Sequence, residues 1–279
     1  NNKQSSSNYI KYINANICEK INIENNVDYI LHAASIASPR IYTENMLNTI
    51  DVGYIGTRNM LELAKTKNVS GFMLFSSSEV YGNPEDKYIP TTEDYNGNVR
   101  TTGSRSFYDE SKRVAESLCY VYNKLYEIPI KIIRPFNVYG PLMNINDGRG
   151  IINLCVNILK NKEAILYNET FTRTHCYVVD CIIQIFKILM LDDPFLILNV
   201  GTEGPEINMI DLTNKIIDIA SLHDQVNINI VKSDIEAYSN NNDIKRRCPN
   251  MEESFKKIKF KSIYSIDQGL QKIINWLKY

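Results

Sequence analysis

No stretch of this chain is apolar for long enough to span a membrane. Long runs of lysine or arginine are also missing. With 31 basic and 32 acidic residues the net charge is −1, and nothing in the charge pattern suggests a nucleic-acid partner. The start, NNKQSSSNYIKY, is polar and lacks the apolar segment of a signal peptide. The six cysteines, Cys18, Cys119, Cys155, Cys176, Cys181 and Cys248, include no CxxC pair. That argues against a disulfide framework or a zinc site, and no metal is expected. Reduced thiols in a cytoplasmic protein are the reading they support.

What is present is ordinary globular composition, 44% hydrophobic and 23% charged over 279 residues, enough for one large core or two smaller ones. Short β-rich runs alternate with amphipathic helical stretches. VDYILHAA (27–34) and GFMLFSSS (71–78) read as strands, and IPIKIIRPFNVYG (128–140) as a strand that runs into a loop. Residues 48–67 and 106–127 between them read as helices. This alternation predicts a parallel α/β sheet, whose ligands bind at the carboxyl ends of the strands. Those ends are HAAS, SSSEVYG and RPFNVYG. The second half is richer in helix: 148–162, 177–191, 209–222 and 265–279, with strands at 195–201 and 226–231. Two closely packed lobes are expected, with the ligand between them.

Glycine is scarce, 12 in all, and nowhere forms the GxGxxG turn that cradles a dinucleotide pyrophosphate at a helix N-terminus. The chain reads as beginning near the third strand of such a fold, IKYINANI (10–17). On that reading the N-terminal glycine-rich βαβ portion of such a fold would be missing from this sequence.

Tyr108 and Lys112 stand one helical turn apart, on one helix face. A free phenol has a pKa of about 10, too high for a base near neutrality. An adjacent ammonium favours the phenolate, so the pair makes sense as a proton-transfer device. The spacing alone is weak evidence, because Tyr120 and Lys124 repeat it on what reads as a plain helix surface. Ser76, Ser77 and Ser78 add context. They end an apolar strand, where a hydroxyl could share a substrate alcohol with Tyr108; serines there also simply start turns.

In order, HAASIASP (32–39), SSSEVYGNP (76–84), TTGSRSFYDESKRVAE (101–116), RPFNVYGPLM (134–143), DGR (147–149), TRTHCYVVD (172–180) and RRCP (246–249) resemble the extended short-chain dehydrogenase/reductase superfamily, the NAD-dependent epimerases and dehydratases of nucleotide sugars. Within it the chain is most similar to UDP-glucuronate decarboxylases. The resemblance implies a Rossmann-like, doubly wound parallel sheet with a smaller substrate-binding lobe. Residues 1–141 and 177–203 would form the NAD-binding domain, and 142–176 and 204–279 the nucleotide-sugar lobe.

The resemblance also implies roles. Ser77 falls at the catalytic Ser/Thr position, Tyr108 is the base, and Lys112 is its partner and a ligand of the nicotinamide ribose. Asn16 and Ile17 lie near adenine, though the family usually has Asp at Asn16. His32, Ala33, Ala34 and Ser35 follow NAD along the strand end. Asn137, Arg149, Tyr167 and Arg173 hold the uridine and diphosphate; an arginine fork suits phosphate. Where related 4,6-dehydratases follow the catalytic Thr with Asp and Glu, this chain has Ser78 and Glu79. Ser-Glu is the decarboxylase pattern, with Arg247 as a further catalytic arginine. Rival readings are a 4,6-dehydratase, a 4-epimerase, or a catalytically silent binding homologue. Gly53 stands where the family has Asn, and the loop 167–173 is a residue short and without glycine. Homodimers through helices 48–67 and 106–127 are also implied.

Overall fold

The computed structural model describes residues 9–146, 148–166, 169–231 and 244–278. In chain order its strands are β1 (Tyr29–His32), β2 (Gly71–Phe75), β3 (Ile130–Pro135), β4 (Val138–Tyr139), β5 (Glu163–Leu166), β6 (Thr172–Arg173), β7 (Cys176–Tyr177), β8 (Phe195–Val200), β9 (Ile207–Asn208), β10 (Asn227–Ile230) and β11 (Arg246–Arg247). The helices are α1 (Pro39–Glu44), α2 (Met46–Asp51), α3 (Thr57–Lys67), α4 (Ser106–Tyr126), α5 (Gly150–Asn161), α6 (Val178–Leu189), α7 (Met209–Ala220), α8 (Glu252–Ile258) and α9 (Ile266–Lys278).

Strands β1, β2, β3 and β8 pair in that order, all parallel, as the strand–helix alternation predicts. Alternate side chains leave opposite faces of the sheet. Phe72, Leu74, Ile130 and Ile132 pack against Met60, Leu61 and Ala64 of α3 and Ala115 and Cys119 of α4. Met73 and Ile133, one residue out of phase, pack against Cys181, Ile185 and Ile188 of α6 and Ile258 of α8. Helices therefore cover both faces, and the winding is Rossmann-like. A third cluster joins α5, α7 and α9 around Ala164 and Leu166 of β5, with Tyr139 at its margin. The other ladders are the pairs β4–β7 and β10–β5 and the three-stranded set β11–β6–β9.

Two local readings, at 10–17 and 48–67, need correction. Residues 10–17 form no strand; Ile10, Tyr12 and Ile13 are exposed, and the segment has no ladder partner among the described residues. The segment 128–140 runs from strand into loop as expected: β3 ends at Pro135, and Asn137 takes a left-handed backbone (φ 40°) before the two-residue β4. The helix over 48–67 forms, but it widens into a π turn at Val52–Gly56. Gly53 lies in that turn, and a Cβ there would come within 2.5 Å of the Ser111 Cβ. Glycine thus allows the turn to press against α4 one residue from Lys112.

Candidate active site

The site is built at the carboxyl end of β2. The strand stops at Phe75, and Ser77 caps a tight turn over Ser78–Tyr81, its Oγ accepting from the Glu79 amide at 3.2 Å. Gly82 ends the turn with φ 62°, where a Cβ would lie 2.0 Å from the Asn98 carbonyl oxygen. A side chain cannot occupy that position, so the turn carrying Glu79 has one course. Behind it runs a buried polar network. Arg134 grips Glu116 through Nε at 2.9 Å and a second nitrogen at 2.6 Å, and also donates to the Tyr81 hydroxyl at 2.9 Å. Tyr81 in turn donates to Asn199 at 2.7 Å, and Ser76 donates to Glu116 at 2.5 Å. With its polar atoms satisfied, such a network holds the turn rigidly.

Tertiary folding brings Arg247 of β11 onto this turn from 168 residues away. Its guanidinium donates to Ser78 Oγ at 2.6 Å and to Glu79 Oε2 at 2.8 Å. Arg105, just before α4, grips the same carboxylate oxygen. Burial alone would raise the Glu79 pKa, but Arg105, Arg247 and Arg173 together hold it below the ordinary carboxylate range. Glu79 is therefore an anion at neutral pH.

Tyr108 and Lys112 sit in the first turns of α4, both buried. The Lys112 ammonium donates to the Phe75 carbonyl at 2.9 Å, tying α4 to the end of β2, and lies 5.9 Å from the centre of the Tyr108 ring. Tyr42 of α1 stacks on Tyr108 with ring centres 4.9 Å apart. The expected acidic tyrosine is not what the geometry gives. Burial, then the charge of Glu79, pushes the Tyr108 phenol up to about 12, while hydrogen bonding from Ser77 pulls it the other way. Burial brings Lys112 down to about 8. Desolvation is the largest cause of both shifts.

Beside Glu79 opens a cavity of about 460 Å³. Asn137, Arg149, Arg173 and His175 line it, so three of the four residues expected to hold a nucleotide share one wall system with Glu79. Tyr167 lies outside the described residues. Arg149 is the exposed residue capping α5. Arg173 is anchored by donating to the carbonyls of Thr172 at 2.9 Å and Lys245 at 3.0 Å. Asn137 donates to the Thr174 carbonyl at 3.0 Å.

The residues expected to follow NAD divide. Ala33 and Ala34 are exposed at the open end of β1, small enough for close approach of a ligand, with Ser35 half-buried beside them. The His32 ring turns inward to Thr57 at 3.0 Å, so only its backbone faces the strand end. Burial, then Lys112, lowers its pKa to about 4, and the ring is neutral. Ile17 packs on Gly56, and its carbonyl, like that of Glu19, accepts from Asn59. Asn16 is exposed and caps the Cys18 amide at 3.0 Å. Lys112 and the exposed alanines fit the nicotinamide-ribose side of a dinucleotide. A glycine cradle for its pyrophosphate is not among the chain's residues.

Sequence reasoning passed over Arg105 and Asp109. Asp109 is buried, its Oδ1 has no hydrogen-bond partner, and burial, then Glu79, pushes its pKa up to about 7. Its position next to Tyr108 was the available signal. For Arg105 it was an arginine in a serine-rich loop opening an acidic helix.

With this geometry in view, comparison with known proteins gives the class. Residues 1–201 match the model of the NAD dependent epimerase/dehydratase family. The chain belongs to that family. Over 205 residues it is 42% identical to UDP-glucuronic acid decarboxylase 5 of Arabidopsis thaliana, covering 73% of this chain and 58% of that protein. The chain thus spans somewhat over half the length of that curated relative. Among solved structures, UDP-glucose 4-epimerase of Thermotoga maritima superposes with a TM-score of 0.80 at 18% identity, covering 90% of this chain and 77% of that one. UDP-glucuronic acid 4-epimerase of Bacillus cereus, solved with UDP-glucuronic acid and NAD, gives 0.77 at 22% identity, with 90% and 76% covered. At those identities the two structures speak for the fold alone.

Proposed function

We propose that the chain carries the catalytic and sugar-nucleotide residues of a UDP-glucuronate decarboxylase, forming UDP-xylose through a 4-keto intermediate. The observation that supports this most is the Ser78–Glu79–Arg247 cluster at the strand end that also carries Ser77, with Tyr108 and Lys112 alongside. A cationic guanidinium and a hydroxyl held together suit a substrate carboxylate. The decarboxylase relatives support the same choice.

Bound NAD would supply the hydride transfer that no side chain can perform. Tyr108 takes the proton of the sugar 4-hydroxyl, with Ser77 hydrogen-bonded to the same oxygen. The base is the phenolate, which must be present before the proton moves; Lys112, mostly cationic at neutral pH, favours that form by its charge. The 4-ketone is β to the C5 carboxylate, so CO2 leaves with its bonding electrons passing into an enolate. Ser77 and Tyr108 hold that oxygen. Arg247 and Ser78 orient the departing carboxylate, and the Ser78 hydroxyl steers the proton returning to C5. Glu79, an anion, fixes Arg105 and Arg247 in place rather than giving up a proton. Residues 1–141 and 177–203 serve the cofactor in this reading, and 142–176 and 204–279 the UDP-sugar.

A homodimer is part of the proposal. Leu47, Ile50 and Tyr54, 80%, 42% and 42% exposed, fall on one face of the helix from α2 into the π turn, an apolar stripe that a second copy would cover. A cytoplasmic site fits the six free thiols. Among the described residues no helix is long and apolar enough to cross a membrane.

The test is chromatography and mass spectrometry of the products formed from UDP-glucuronate and NAD. A UDP-pentose is expected. A product that has lost water instead, or a UDP-hexuronate isomer, would replace decarboxylation with dehydration or epimerisation.

A further inference from the structure

The contact between Arg247 and the turn at Ser78–Tyr81 has two sides, and one buried side chain holds both. Asn199 lies near the carboxyl end of β8 and has no exposed surface. Its amide oxygen accepts from the Tyr81 hydroxyl at 2.7 Å, so it holds the far end of the turn that carries Ser78 and Glu79. Its amide nitrogen donates to the carbonyls of Thr91 and Asn250, each at 3.0 Å. Thr91 in turn clasps the stretch that follows Arg247. The Thr91 amide donates to the Cys248 carbonyl at 2.9 Å, and the Asn250 amide donates to the Thr91 carbonyl at 2.8 Å. Two carbonyls can face only a donor, so the amide has one orientation. The Asn199 backbone is tied as well: its amide donates to Glu93 Oε1 at 2.8 Å, and its carbonyl accepts from Ser254 Oγ at 2.6 Å. A buried amide with its oxygen and both hydrogens engaged is rigid.

We propose that Asn199 is a positioning residue for the reaction: it sets Arg247 against Ser78 and Glu79, holding the turn through its oxygen and the Cys248–Asn250 stretch through its nitrogen. The inference rests on the decarboxylase reading for what Arg247 does; Asn199 itself touches no substrate. The guanidinium must meet Ser78 Oγ at 2.6 Å and Glu79 Oε2 at 2.8 Å together. The strand that carries it pairs over two residues only, Arg246 with Thr172 and Arg247 with Arg173. So short a ladder leaves the position of Arg247 to what grips the chain just beyond it. A shift of about 1 Å in a group that orients a substrate lowers the rate by on the order of a hundredfold.

The test is a double-mutant cycle joined to amide hydrogen exchange. UDP-glucuronate turnover with NAD is measured for wild type, Asn199→Ala, Arg247→Ala and the double variant. Asn199→Ala is expected to lower kcat about thirtyfold. In the Arg247→Ala background the same change should lower it by no more than about threefold, because the group it positions is gone. Exchange in Asn199→Ala should quicken at the Thr91 and Asn250 amides beyond any rise in β2 and β3. Should alanine not fold, Asn199→Ser takes its place. An equal loss of kcat in both backgrounds overturns the inference, and so does exchange at Thr91 and Asn250 that rises no more than in β2 and β3. A wild type that forms no UDP-pentose overturns the decarboxylase reading instead, and the exchange measurement then still decides whether Asn199 holds the segment that carries Arg247.

Discussion

Replacing Asp109 with asparagine tests the electrostatics of the site through folding alone. The carboxyl is 7% exposed, and one of its oxygens is unpartnered. Burial first, then the Glu79 charge, raises its pKa from 3.8 to about 7, against the pull of Arg105 and Arg247. Between those values the folded protein binds more protons than the unfolded chain. Stability therefore falls as pH rises through that window, and the loss is complete above about pH 7. A displacement of about 3 pH units at 1.36 kcal/mol each amounts to roughly 4 kcal/mol. Asparagine keeps the shape and has no proton to lose. Asp109→Asn should therefore match wild type near pH 4 and become more stable by up to roughly 4 kcal/mol near pH 8. For a chain of this size that is roughly 8–16 °C in Tm. Thermal melts of both proteins across that pH range measure the gap. A gap that does not change with pH, or that opens only below about pH 5, would refute the argument.

Other outcomes follow from the same geometry. Gly53→Ala places a methyl 2.5 Å from the Ser111 Cβ and 2.9 Å from its carbonyl oxygen, so it should cost roughly 1–3 kcal/mol in chemical denaturation, with kcat falling as α4 shifts. Unchanged stability there would mean that the helix crossing is loose. Tyr108→Phe should lower kcat at least about a hundredfold while leaving UDP affinity within about twofold of wild type, because the phenol is assigned to the reacting sugar and not to the nucleotide. A comparable loss in both would point to a structural role for the hydroxyl.

Much of the fold was legible in the sequence because the physics is local. Phe72, Met73 and Leu74, and Ile130, Ile132 and Ile133, form apolar runs of strand length buried on both faces, and the helices between them carry one apolar stripe each. Spacing put Tyr108 and Lys112 on one helix face and three serines at a strand end; the resemblance, not the spacing, singled out Ser77 and gave the pair a role. The strand expected at 10–17 was not legible, because alternation of residue types gives no ladder without a neighbour to pair with.

What the sequence determined by itself was the chemical inventory: a phenol and a lysine on one helix face, hydroxyls closing an apolar strand, and an arginine near the C-terminus. Only the tertiary structure decided their charge states and company. It placed Arg247 on Glu79 across 168 residues, added Arg105 to the same oxygen, and so kept that carboxylate ionised. It buried Asp109 and Tyr108 and moved both pKa values upward. Spacing can say which groups share an element. Desolvation and long-range pairing depend on what the rest of the chain packs around them, and that is settled only in the folded molecule.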